Sequence, residues 1–503
     1  MTAVALRDRV AKGAILLTLT RLSARALDFV ALMVLTRHLL PADFGIVALS
    51  LSIMQVAEAV LETPTGQVLM RLPAIRRSHL DTALTIGLIR GIAIAAVLAL
   101  LSAPFAHFYG DSRLIALICA ISVAPACRGL KSPKLILLYR QFRFKQDGYC
   151  EFAGKLAALV VSASLAIATG SYWAIAAGTI ANPLASAAVS YILVPYRLRL
   201  TLRDWRLFHR IVGWNLAGQT ISALNWQTDR FVLGRLASHA VLGLFSTARE
   251  FAAITYKMLF DTLQRPIFSA LATASNDPLR IREVYRRTIA ATLSIALPIT
   301  LGQALVAPEL VRLFLGGRWT AAVPVFQIVS LTLIPGVYAS LTANLFLAVG
   351  RPELVFKRNL QDFAFRVPAA ILLIKWYGLY GALAALVAAD VLLAFLCMHS
   401  VSKLVGLSVV AQLWAARRGL FSAAVMVGAI MAARLVTPAA DSTEAAVTGL
   451  VMVVPLAGLA YVAAHLLVWV ASGRPNGIEE VGLRIGRQAL ARIPRPSVPR
   501  AVK

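Results

Sequence analysis

Apolar residues run along this chain in blocks near the ~20 residues a helix needs to cross a bilayer, and short polar turns separate them. The blocks lie near 13–36, 44–66, 82–106, 114–138, 149–169, 171–194, 211–234, 241–264, 288–308, 320–347, 359–375, 379–402, 419–437 and 446–470. They predict an all-α polytopic membrane protein with about fourteen transmembrane helices, and an even count puts both termini on one side. The fourth block is the least clean, because Arg128, Lys131 and Lys134 decorate its second half. No polar stretch is long enough for a separate soluble domain.

Composition agrees: of 503 residues 59% are hydrophobic, and the mean hydropathy is +0.76. The net charge of +27 would suggest nucleic acid on a soluble chain. Here the basic residues gather on alternate loops, as the positive-inside rule requires of cytoplasmic ones. With the N-terminus cytoplasmic, the outer loops keep only Arg37, Arg113, Arg235, Arg312, Arg318, Lys375 and Arg434. The expected location is a membrane, both termini cytoplasmic, with membrane lipids and no nucleic acid as partners. Arg21, Arg25 and Asp28 interrupt the first block, so it does not read as a cleavable signal. Cys119, Cys127, Cys150 and Cys397 show no metal-ligand spacing and no disulfide framework.

One corner is written twice. "LTRHLLPADFGIVALS" (35–50) aligns with "LGRLASHAVLGLFSTA" (233–248), pairing Arg37 with Arg235 and Gly45 with Gly243. A looser pair is "RFKQDGYCEFAGKLAA" (143–158) and "VFKRNLQDFAFRVPAA" (355–370). Both echoes shift by six spans, so the halves face the membrane alike, a parallel repeat. The expected organisation is a six-helix bundle over 1–194, a basic amphipathic linker over 195–210 and a second six-helix bundle over 211–402. Two extra helices over 403–470 and a basic tail over 471–503 follow. The linker stretch "RLRLTLRDWRLFHR" (197–210) reads as an interfacial helix.

Ionisable side chains inside spans cost about 2.5–3.5 kcal/mol each on insertion scales, so those present face a partner or a cavity. In span one, Arg21, Arg25 and Asp28 share a face, and Arg25 can pair with Asp28. Glu58 and Glu62 of span two are candidate cross-helix or gating partners, as is Glu250 of span eight. Glu151 with Lys155, and Lys257 with Asp261, read as local pairs. Asp229 and Arg230, like Arg249 and Glu250, are adjacent and point about 100° apart. Arg90, Arg366 and Asp390 complete the set. Arginine suits a phosphate because its planar fork donates two hydrogen bonds to one anionic group. The candidate cavity residues are therefore Arg21, Arg25 and Arg249, positioned for an anionic headgroup.

No nucleotide loop, zinc-binding helix or paired-cysteine motif is present, and the seven histidines are scattered. The outer loops are short, with Glu309, Asp441 and Glu444 as their carboxylates. No catalytic or metal residue is assigned. This weighs against a membrane-bound polymerase or ligase; a non-transporting scaffold would not need the cavity arginines.

"TRHLLPADFGIVALS" (36–50) resembles the "R-x-L-G-P-x-x-F-G-x-Y-A-L" corner of polysaccharide exporters and O-unit flippases. "DRFVLGRLASHAVLGLFSTA" (229–248), "FLGGRWTAAVPVFQIVSL" (314–331) and "RQFRFK" (140–145) resemble further motifs of that family. The likeness covers about residues 10–470, with Leu40, Val47 and Phe245 as departures. It implies a multidrug/oligosaccharidyl-lipid/polysaccharide (MOP) exporter with a V-shaped cavity and alternating access. The implied cargo is a lipid-linked oligosaccharide on undecaprenyl diphosphate; a glycan polymerase and glycosyltransferases are the implied partner enzymes. Cationic cavity residues on the first and eighth helices of relatives correspond to Arg21, Arg25 and Arg249. Sodium-binding positions of some relatives point to Asp229, Asn359 and Asp362, and no other cofactor is implied. The residues leave sodium or proton coupling open, and an antiporter of the same fold for cationic drugs would favour an acidic cavity.

Overall fold

The computed structural model describes residues 3–474 apart from 64, 142, 144, 210–212 and 437–441; the side chains of 3–19, 21, 67, 71, 209, 213–217, 258–262 and 265 are also outside the description. The helices are α1 (Ala3–His38), α2 (Pro41–Val60), α3 (Thr65–Arg71), α4 (Arg77–Tyr109), α5 (Arg113–Ile121), α6 (Val123–Gly129) and α7 (Leu135–Arg140). Next come α8 (Lys145–Thr169), α9 (Trp173–Leu193), α10 (Arg206–His209), α11 (Gly213–Leu236), α12 (His239–Ala274), α13 (Pro278–Leu305) and α14 (Ala307–Leu310). The last are α15 (Val323–Ala348), α16 (Pro352–Val405), α17 (Val409–Ala415), α18 (Arg417–Arg434) and α19 (Thr443–Ala471). Among the described residues there is no strand, so the all-α expectation holds.

Among the described residues eight helices are long and apolar enough to cross a membrane, and the bent pair α17–α18 makes a ninth. The expected fourteen crossings need more than these. α16 spans two of the predicted blocks and reverses at Gly378, whose φ of 56° is open to glycine at little cost. α1, α11 and α12 are also long, but they carry the intramembrane charges singled out above. The fourth block is not one helix but α5, α6 and α7. Ser122 Oγ donates to the Cys119 carbonyl at 2.7 Å at the first break. At the second, Ser132 is bound to Ser190 and to the Val194 carbonyl. Side chains that bond backbone in this way compete with a continuous helix.

The predicted linker helix is a second correction: among its described residues only Arg206–His209 is helical. Buried polar side chains of α4 hold the chain straight instead. Thr85 Oγ1 accepts the Thr201 N–H at 2.9 Å, Thr82 Oγ1 accepts that of Asp204 at 3.4 Å, and Tyr196 Oη donates to Asp81 at 2.6 Å.

Helices pack as two groups, α1–α9 and α11–α16, with α18 and α19 against α13. The groups join where α2 lies on α11 and α12. There one apolar core runs through both, from Ile46, Leu49 and Leu117 to Phe245, Trp319 and Phe326. This is the α1–α2 end of the molecule; the loops rich in Lys and Arg lie at the other, basic end. At the α1–α2 end Pro41 opens α2, and Asp43 Oδ2 accepts the Leu40 N–H at 2.9 Å. Trp376, Tyr377 and Tyr380 stand exposed around the α16 reversal, as aromatic side chains do at a membrane interface.

Candidate functional site

The two echoing corners meet face to face. A Cβ on Gly243 would lie 1.7 Å from the Pro41 carbonyl oxygen, and one on Gly45 would lie 1.9 Å from that of His239. Pro41 and His239 hold the same place in the two echoes, so helix backbones cross in near-symmetric contact that only glycine permits. Around this crossing, Trp319 is fully buried and donates from Nε1 to the Thr36 carbonyl at 2.9 Å, with its ring edge-on to Phe44. The family-like "GRW" and "TRHLLP" motifs therefore bind each other. Beneath, Gln227 Nε2 donates to Gln55 Oε1 at 2.8 Å across the groups.

A latch closes the same end. Asp111, in the turn between α4 and α5, accepts from Arg113 Nη2 at 2.7 Å, and His239 Nε2 of the other group lies 3.0 Å away. The Arg113 hydrogen bond, opposed by burial, holds the Asp111 carboxyl below the usual carboxylate range. Its stabilising share is thus present above the ordinary carboxylate value and is lost as pH falls through the depressed one. Thermal melts should therefore show Asp111→Asn less stable than wild type at neutral pH. The gap should close only on strong acidification; a gap unchanged down to that range would refute the latch.

Toward the basic end the seam carries aromatic and then charged side chains. Phe29 of α1 stacks on Phe251 of α12 with centroids 5.8 Å apart. Within the next turns, the side chains of Arg25 and Asp28 are 38% and 30% exposed and that of Glu250 is 46% exposed, although all lie mid-helix. Ionic groups exposed at such depth are costly in lipid, which is why each is held in an ion pair. Beside them, α11, α12, α15 and α16 enclose a cavity of about 390 Å³. Its lining carries four cations, Arg249, Lys257, Arg358 and Arg366, against two carboxylates, Asp362 and Asp390.

Arg249 is buried, bonded to Asp229 at 2.8 Å, and its guanidinium lies 4.4 Å over the Trp226 ring. The adjacent Arg230 bonds Glu250 at 2.8 Å, so the two neighbouring-charge pairs of α11 and α12 cross-link. Arg25 pairs with Asp28 as expected, at 3.7 Å. Arg25 and Arg249 thus stand on the two helices that flank the seam, each bonded within its own group. The Arg21 side chain lies outside the described residues, as do Asp261, Asp441 and most of the basic tail.

Several expected pairings change. Lys155 bonds Asp28 of α1 at 2.6 Å rather than Glu151, because a neighbouring helix offers a closer carboxylate. Glu58 is taken by Arg128 of α6, not by span one. Glu62 is half-buried beyond the end of α2. Lys257 lies 3.8 Å from Glu250, while the side chain of Asp261, its expected partner, lies outside the described residues. The outer carboxylate Glu309 is tied to Arg434 at 3.3 Å. Of the sodium candidates, Asp229 and Asp362 both face Arg366, at 3.9 and 3.3 Å, and Asn359 Oδ1 accepts from Arg358 at 2.8 Å. Arg366 also bonds Asp390 at 2.6 Å. Among the described residues no cluster of His, Cys, Asp and Glu could hold a metal.

Sequence reasoning missed Arg358 and the Asp111–Arg113–His239 latch. Arg358 was legible in part, since it falls in the second echo, whose Asn359 corresponds to Asp147 in the first. Each of these residues lines a cavity of its own group.

The profile of a family described as "Polysaccharide biosynthesis protein" matches residues 34–324. The lipopolysaccharide biosynthesis protein WzxC of Escherichia coli (strain K12) is 22% identical over 377 residues, 73% of this chain and 76% of that protein. Among solved structures, the lipid II flippase MurJ in an inward closed conformation superposes with a TM-score of 0.71 at 13% identity, covering 92% of this chain and all of that one. An inward-facing MATE family multidrug resistance transporter of the MOP superfamily gives 0.58 at 15% identity, over 80% and 98% of the two chains. The fold is that of the MOP superfamily.

Proposed function

The chain belongs to the polysaccharide biosynthesis protein family, and from that footing we propose that it is a flippase for a lipid-linked oligosaccharide on undecaprenyl diphosphate. It would act in the bacterial inner membrane as a transporter, not an enzyme. In this reading about fourteen spans form two like-facing six-helix halves with two extra helices. The basic end, both termini and the linker face the cytoplasm. WzxC belongs by name to lipopolysaccharide biosynthesis and MurJ carries lipid II; both names agree with a glycan on a lipid as cargo.

One observation supports the proposal: the two helix groups meet backbone to backbone at the Gly45–Gly243 crossing, and in the second group α11, α12, α15 and α16 enclose a cavity lined by four cations and two carboxylates. A diphosphate entering from the cytoplasm would meet Arg25 at the seam and Lys257, Arg249 and Arg358 within. The sugars would lie along the seam while the prenyl tail stays in lipid between α1 and α12. A drug antiporter expects the opposite sign of lining. Release would need the Gly45–Gly243 crossing to part and the basic end to close, which is alternating access.

Reconstituted protein should move a fluorescent diphosphate-linked oligosaccharide between leaflets. Lys257→Gln and Arg25→Gln remove half-exposed charges and should each slow flipping by about tenfold, the worth of one charge-assisted bond, with little change in melting. Full rates in both variants would reject the cationic chamber; failure of wild type to flip any diphosphate-linked donor would reject the cargo.

A further inference from the structure

A second recess lies at the basic end of the first helix group, away from the α1–α12 seam. It has two compartments that share Thr63, Thr65 and Arg90. One, about 420 Å³, is polar and contains Glu58, Arg128, Lys131 and Asp147. The other, about 430 Å³, is an apolar groove between α4 and the linker, walled by Ile86, Ile89, Leu202, Trp205 and Phe208.

The charges of the polar compartment are already matched, with one exception. Arg128 bonds Glu58, and Lys131 bonds Asp147 at 2.7 Å. Arg90, at the junction of the compartments, donates from Nη2 to the Glu58 carbonyl at 3.0 Å, but its Nε is buried with no acceptor. A buried cationic donor without an acceptor is costly, and it sits where an apolar groove meets a polar chamber. That combination suits an amphiphile with one anionic oxygen cluster and one hydrocarbon chain.

The groove is a fixed recess and not a passage, because the linker that walls it is stapled to α4 through Asp81, Thr82 and Thr85. Exposed Arg197, Arg199 and Arg203, alternating with exposed Leu198, Leu200 and Leu202, place that linker at headgroup level and raise the local share of anionic lipid.

We propose that this recess binds one anionic phospholipid of the adjoining leaflet, its phosphate accepting from Arg90 and one acyl chain lying along Ile89, Leu202 and Trp205. The bound lipid bridges α4 to the segment that leads into the second helix group, so it braces one half against the other. The site is separate from the cargo chamber and does not depend on what the cargo is.

Trp205 reports on the groove. Full-length protein in mixed micelles is titrated with phosphatidylglycerol or with phosphate-free diacylglycerol, each brominated on the acyl chain, and the difference from Trp205→Phe isolates this one of the eight tryptophans. Quenching of Trp205 should saturate at about tenfold lower mole fraction of phosphatidylglycerol than of diacylglycerol, as one charge-assisted bond to the phosphate predicts. Arg90→Gln should abolish that preference and Arg90→Lys should keep part of it. Equal quenching by the two lipids in wild type overturns the proposal, and so does a preference that survives in a folded Arg90→Gln. Should that variant fail to fold, the wild-type comparison alone decides.

Discussion

Gly243→Ala is expected to abolish transport while leaving the chain inserted in the membrane. The added Cβ would stand 1.7 Å from the Pro41 carbonyl oxygen and 2.7 Å from its carbon, where no flexible side chain can yield. α2 and α12 must therefore separate by more than an ångström. They cannot do so locally, because Ile46, Leu49, Phe245 and Trp319 pack without exposure around the crossing. Overpacking of this kind costs about 1–3 kcal/mol, enough to shift the balance between sealed and opened forms by one to two powers of ten. Gly45→Ala should act alike, and the double variant should fall short of the sum, since both relieve the same contact. A cysteine at Leu49, fully buried in wild type, reports the change. It should resist a membrane-impermeant maleimide in wild type and label in the Gly243→Ala background. Normal flipping with Leu49 still protected would show that the crossing is not a gate.

That contact also shows how far the sequence could be read. The periodic apolar blocks were enough to place nearly every helix, and the repeated corner was visible as a pattern. Its physical reason was not, because Gly45 and Gly243 matter only when two distant corners meet. The misreadings share a cause. Alternating Arg and Leu over 197–210 has the composition of an amphipathic helix, but side chains more than a hundred residues earlier took its N–H groups. Lys155 has Glu151 one turn away, yet Asp28 of another helix wins it. Local spacing gives the available partners, and tertiary packing chooses among them. The site residues divide in the same way: Arg249 lay on the expected helix, whereas its bond to Asp229 depends on how α11 and α12 cross.

Arg366→Ala is expected to be the most destabilising single change among the cavity residues. The Arg366 side chain is 5% exposed, and the guanidinium lies 2.6 Å from Asp390, 3.3 Å from Asp362 and 3.9 Å from Asp229. Among the described residues only Asp229 has a second direct ion pair, with Arg249. Removing one member of such a buried set leaves charges without compensation and costs about 3–5 kcal/mol. Two readouts separate this from mere loss of packing. Adding Asp390→Asn to Arg366→Ala removes an orphaned carboxylate and should recover part of the lost melting temperature, whereas a packing defect would only deepen. Sodium should raise the melting temperature of Arg366→Ala but not of wild type, because the space vacated by the guanidinium leaves Asp362 and Asp390 without a bonded cation. In wild type that space is filled by a cation covalently tethered to α16. If sodium instead stabilised wild type as much as the variant, the guanidinium would not be occupying a cation's place, and the three aspartates would have to be reconsidered as an ion site in the native chain.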